Sequence, residues 1–189
     1  MLTTDQIWII ARSTGTAALV ALVLSVLSGM ALRSGALSWL SHNRGVRAVH
    51  DLTSVLWLPL VVVHVVTLML DPYAKIGFVD LVVPFLVSYG SFAIGLGTIS
   101  LQLVAVVLIS TWLRSRLTQR GWLAIHRLSY VAFVAAFAHG LLAGTDFAQP
   151  LLGALAWLTA AVLVTVAFRR LTAARGRQSP ARSKTVAIP

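Results

Sequence analysis

Five histidines occur in this 189-residue sequence, and four of them lie in apolar stretches. His50 and His64 bound the segment HDLTSVLWLPLVVVH, while His126 and His139 belong to WLAIHRLSYVAFVAAFAHG at 122–140, where Arg127 follows the first of them. An imidazole buried in hydrocarbon without a partner costs free energy, so four of them on two apolar segments need a common task. Neutral imidazoles either bind a transition metal or relay protons. A relay needs acidic partners within the same segments, and Asp51 is the only carboxylate there. Metal ligation is the better-supported chemistry.

Spacing sharpens that choice. At about 1.5 Å of rise per residue, His50 and His64 stand roughly 21 Å apart along a helix axis, and His126 and His139 roughly 20 Å. Two such helices side by side present two facing pairs of rings at two depths. Each pair can hold one haem iron between two imidazoles. The alternative for each ring is a packed, hydrogen-bonded interior histidine, which explains one residue more easily than four. A step of fourteen residues returns to within about 40° of the same helix face, whereas thirteen miss it by about 140°. The second helix is therefore expected to kink, to change its winding locally, or to offer its rings from different flanks.

The elements that carry these rings are membrane spans. Hydrophobic residues make up 58% of the chain and charged residues 11%, a membrane composition rather than a soluble one. The fold class expected is all-α, an integral membrane helical bundle of about five transmembrane helices at 7–32, 50–70, 91–113, 121–143 and 150–168. One domain at 1–168 and a basic tail at 169–189, expected to be disordered, account for the length. The first apolar run exceeds a signal-peptide core and is expected to remain as an anchor. Absence of cysteine excludes disulfides, iron–sulfur clusters, thiolate metal sites and c-type haem attachment. GLGTIS at 95–100 has no strand before it and is no dinucleotide fingerprint.

A formal net charge of +10 comes mainly from arginines between the spans. Arg33, Arg44 and Arg47, then Arg114, Arg116 and Arg120, then Arg169, Arg170, Arg175, Arg177, Arg182 and Lys184 all fall on one side if the spans alternate. Asp5, Asp71, Asp80, Asp146 and Lys75 fall on the other. The positive-inside rule makes the arginine side cytoplasmic, with the N-terminus outside and the protein multi-pass in the inner (plasma) membrane. The charge thus reports topology, and no nucleic-acid partner is expected.

The pattern W-x3-H-R-x2-Y-x8-H, preceded by H-x13-H, resembles the ferric-reductase-like transmembrane domain. That superfamily includes NADPH oxidases, ferric reductases and the haem subunit of the periplasmic methionine sulfoxide reductase system. The resemblance covers roughly residues 7 to 168. It implies a cytochrome b with two stacked haem b groups per chain, one ligated by His50 with His126 and the other by His64 with His139, passing electrons across the bilayer. The sequence stops where the flavin and nicotinamide domain of the oxidases begins. A separate donor is therefore expected, either a flavoprotein carrying the flavin or the quinol pool, together with an external acceptor such as ferric iron or a catalytic subunit. The rival readings are a quinol-linked respiratory cytochrome b subunit, a non-redox transporter and a structural membrane subunit.

Individual residues then acquire expectations. Arg12 either snorkels to headgroups or pairs with a propionate of the outer haem. Arg47 pairs with Asp51 four residues on or with an inner propionate, and Arg127 meets an inner propionate or a lipid phosphate. Ser41 or Asn43 caps the second span and Thr118 the fourth, placing His50 and His126 at similar depth. Trp112 and Trp122 read as interfacial anchors. Gly15, Ser25, Ser28 and Gly29 allow close helix approach, as do Gly140 and Gly144. Asp71-Pro72-Tyr73 marks a turn, residues 77–90 an interfacial or re-entrant cover, and the fifth span closes the bundle.

Overall fold

A computed structural model describes residues 2–33 and 42–176. Its elements are α1 (Thr4–Leu32), α2 (Arg44–Leu70), the short α3 (Phe78–Val82), α4 (Ser91–Trp112), α5 (Gln119–His126), α6 (Leu128–Ala143) and α7 (Pro150–Gly176), with single 3-10 turns at Arg114–Arg116 and Thr145–Ala148. Among the described residues five helices, with α5 and α6 together forming one of them, are long and apolar enough to cross a membrane. The all-α expectation and the span limits agree with this architecture. α7, however, continues to Gly176, past 168, and residues 177–189 lie outside the described residues.

Helix starts follow side chains that satisfy the first free N–H groups. Thr3 and Gln6 form a reciprocal capping box on α1. Asn43 Oδ1 accepts from the N–H groups of Gly45 (2.8 Å) and Val46 (3.3 Å), and Thr118 Oγ1 accepts from that of Gly121 (3.1 Å). Both caps stand where the sequence placed them; Ser41 lies outside the described residues. Asp71 makes the expected turn by accepting from the N–H groups of Tyr73 and Ala74.

Packing divides the bundle into two closely packed pairs, α1 with α2 and α4 with α6, joined through α1 and α6. Leu22, Val26, Met30, Trp57, Val104, Ala132 and Phe133 fill the common core. The histidine-bearing helices, α2 on one side and α5 with α6 on the other, are not themselves packed closely together. Outward faces are apolar, with Val55, Trp112, Trp157 and Val164 each more than two-thirds exposed, a surface suited to lipid. α7 touches α1 and the turn at Thr145–Ala148 along the rim of the bundle, and most of its large apolar side chains face outward. It is thus a peripheral helix more than a closing one.

Residues 77–90 fold against α4. α3 runs alongside α4, where Thr98 Oγ1 donates to the carbonyl of Asp80 (3.0 Å) and Gln102 Nε2 to those of Leu81 (3.1 Å) and Val82 (2.8 Å). Gln102 sits near the middle of α4, so it satisfies carbonyls that the end of α3 would otherwise leave bare in an apolar layer. Phe85 then packs its ring against Gly95, in the space a Cβ there would fill.

Candidate metal centre

Within the thirteen-residue step between His126 and His139 the fourth span is interrupted. Helix α5 ends at His126 and α6 begins at Leu128, with Arg127 between them at φ −67°, ψ −19°. The N–H of Tyr130 donates to the Arg127 carbonyl three residues back, a tightened turn in place of the α-helical pattern. Such a turn adds only about 20° of rotation per residue, and the two rings are each paired with a ring of α2. On α2 the fourteen-residue step needs no such device, and the helix runs through His50, Pro59 and His64 without interruption.

Two cross-helix pairs result. His50 faces His126 and His64 faces His139, each pair with ring centres 6.4 Å apart and planes at 76° and 73°. That separation can be tested against a metal. Two metal–nitrogen bonds of about 2 Å plus roughly 1 Å from each nitrogen to its ring centre sum to about 6 Å. The pairs are therefore spaced for one metal atom between them. Among the described residues no group of three or more His, Cys, Asp or Glu side chains converges. A site built from protein ligands alone would need about four. Two axial imidazoles suffice where a macrocycle supplies the other ligands, so the donor set fits haem.

Hydrogen bonds fix three of the rings. The Nδ1–H of His50 donates to the Ser25 carbonyl (2.8 Å), that of His64 to Ala11 (2.7 Å) and that of His139 to Ala93 (2.8 Å). With the proton on Nδ1, the lone pair of Nε2 is free for a metal, and the bond to the carbonyl strengthens it as a donor. His126 differs, because its Nδ1 is buried without a partner.

Glycines admit three of the rings. A Cβ on Gly15 would lie 2.8 Å from His64, one on Gly29 3.0 Å from His50, and one on Gly97 2.8 Å from His139. Gly15 and Gly29 stand fourteen apart, the same step as His50 and His64, and Ala11 and Ser25 repeat it. α1 and α2 therefore present a matched antiparallel register, with Gly15 opposite His64 and Gly29 opposite His50. This repeat was visible in the sequence. Gly97, inside GLGTIS, has the same function without a matching repeat to reveal it. Gly140 instead lies against Leu19 of α1.

The arginines separate. Arg12 is committed to Asp146, with Nη2 in an ion pair and Nε donating to Oδ2 (3.1 Å), while its guanidinium lies 4.0 Å over the Trp8 ring. This ties α1 to the turn that follows α6. Arg47 and Arg127 are exposed at the end of the bundle that carries His50 and His126. Asp51 is also exposed, and no ion pair joins it to Arg47. Trp112 is 85% exposed, as suits an anchor, whereas Trp122 is 8% exposed and packs inside.

A family model, ferric reductase like transmembrane component, matches residues 14–137. That range takes in α1 from its third turn, His50, His64 and His126, and stops two residues short of His139. No curated protein and no solved structure matches the chain.

Proposed function

The chain belongs to the ferric reductase-like transmembrane family, and from that membership and its histidine pairs we propose that it is a di-haem cytochrome b carrying electrons across a membrane. The observation that carries this reading is the pair of 6.4 Å cross-helix contacts, at two depths, between four rings of which three, His50, His64 and His139, hold Nδ1–H on a backbone carbonyl. When bound, haem iron alternates between its ferric and ferrous states and so takes one electron at a time.

The protein's part is ligation, orientation and exclusion of water. His50 and His126 hold the haem nearer the arginine-rich end, and His64 and His139 the one nearer Asp71 and Asp146. Backbone carbonyls of α1 and α4 set the tautomer of His50, His64 and His139 and stop those three rings from turning. The separation of α2 from α5 and α6 leaves the slot, and the apolar faces around it keep the local dielectric low. Arg47 and Arg127 are placed to meet propionates of the first haem. Arg12, with two of its donors taken by Asp146, has Nη1 left for a propionate of the second.

The arginine-rich end is cytoplasmic by the positive-inside rule, the N-terminus is external, and the membrane is the plasma (inner) membrane. A flavoprotein, its flavin held outside this chain, or a quinol would supply electrons from the inner side, and an external acceptor would remove them. Detergent-purified protein assayed as its pyridine haemochrome should contain two non-covalent haem b groups per chain. Protein free of haem would overturn the reading.

A further inference from the structure

One of the four rings lacks the support given to the other three. Rings that face α1 follow a fourteen-residue repeat, with carbonyls at Ala11 and Ser25 and glycines at Gly15 and Gly29. For the rings that face α4, Ala93 and Gly97 serve His139. The same step along α4 leads to Val107 and Thr111. Neither does for His126 what its counterpart does for His139, since the His126 Nδ1 has no hydrogen-bond partner. The Val107 carbonyl already accepts from Ser110 Oγ (2.8 Å) and Thr111 Oγ1 (2.9 Å). Thr111 also carries a side chain where a glycine would admit a ring.

Trp122 occupies that place. Its indole lies 4.9 Å from the His126 ring at 24°, a stacked contact and the most parallel one made by any of the four histidines. Three features hold the indole there. Its Nε1–H donates to Thr111 Oγ1 (3.4 Å), the Arg114 guanidinium lies 4.4 Å over its face, and the side chain is buried. Stacked aromatic rings resist rotation, and a buried indole fills space beside the imidazole that water would otherwise occupy.

We propose that Trp122 is the positioning residue of the inner haem ligand, doing for His126 by stacking what a backbone carbonyl does for the other three histidines. The proposal rests on the bis-histidine haem reading above. It makes the two haems chemically unequal. Both outer ligands donate Nδ1–H to a carbonyl and are strengthened as donors, whereas the inner haem has one such ligand and one that is not polarised. A weaker donor stabilises the ferric state less, so on this count the inner haem takes an electron more readily than it would with a bonded His126.

Full-length protein with Trp122→Phe, Trp122→Leu and Trp122→Ala tests this by haem content, redox titration and the low-spin ferric resonance of each haem. Phenylalanine keeps a flat ring against His126, and its haem content and both midpoints should match the wild type. Leucine fills the volume without a flat face. Leucine and alanine should lower the content from two haems toward one, with the outer haem spared. In the fraction that retains the inner haem, water reaching Nδ1 should shift its midpoint downward and alter its resonance alone. Leucine behaving like phenylalanine, or a loss shared equally by both haems, overturns the proposal. If the alanine variant does not accumulate, the phenylalanine and leucine pair decides. Wild-type protein without haem would instead overturn the reading beneath it.

Discussion

Adding a single methyl group at Gly97 should remove one haem and leave the fold. A Cβ at this position would lie 2.8 Å from His139 Nδ1, 3.0 Å from Cε1 and 3.1 Å from Cγ. Three ring atoms are met at once, so no rotation about a single bond relieves the overlap. The ring must retreat by about 0.6 Å to recover an ordinary 3.4 Å contact. That retreat is directed away from α4, whose Ala93 carbonyl holds Nδ1–H at 2.8 Å. Weakening that hydrogen bond costs about 1 kcal/mol, and the overpacking costs about 1–3 kcal/mol. A total of about 2–4 kcal/mol corresponds to roughly 30- to 1,000-fold weaker retention of the outer haem. Purified Gly97→Ala protein should therefore approach one haem per chain by pyridine haemochrome, and its reduced spectrum should keep only the inner contribution. Gly15→Ala, also at 2.8 Å but against His64, should do the same. Gly29→Ala, where the nearest approach to His50 is 3.0 Å, should reduce inner-haem content less severely. A Gly97→Ala protein with two full haems and an unchanged spectrum would refute the claim that the glycine makes room for the ligand.

Two further outcomes follow from the same geometry. His64→Ala and His139→Ala should each lose the outer haem and spare the inner one, which a cytoplasmic donor can still reduce. His50→Ala and His126→Ala should block donor-driven reduction of the outer haem. Haem content and reduction kinetics of the four variants give the sorting, and grouping by helix rather than by depth would contradict the cross-helix pairs. A cytoplasm-active reporter fused after Pro189 should be active and one inserted near Asp146 inactive, because arginines crowd one side and aspartates the other; the opposite pattern would reverse the inner and outer assignments.

Much of this arrangement follows from local chemistry and was therefore readable along the chain. Helix length and apolarity are set by the bilayer, so the spans and their limits are local properties. Asn43 and Thr118 cap because their oxygens reach N–H groups two or three residues on. The angular mismatch of a thirteen-residue step left a kink, a change of winding or rings offered from different flanks as the options, and the structure shows an interruption at Arg127. Tertiary structure decided what depends on a neighbouring backbone. The carbonyls of Ala11, Ser25 and Ala93 carry no side-chain signature, so their selection as partners of His64, His50 and His139 emerged only once α1 met α2 and α4 met α6. Arg12 looked equally suited to headgroups or a propionate, because Asp146 is 134 residues away in sequence. Trp122 had the composition of an interfacial anchor, like Trp112, but helix α5 turns it inward under Arg114 and onto His126. A side chain's type limits the contacts it can make, and the packing of distant helices selects among them.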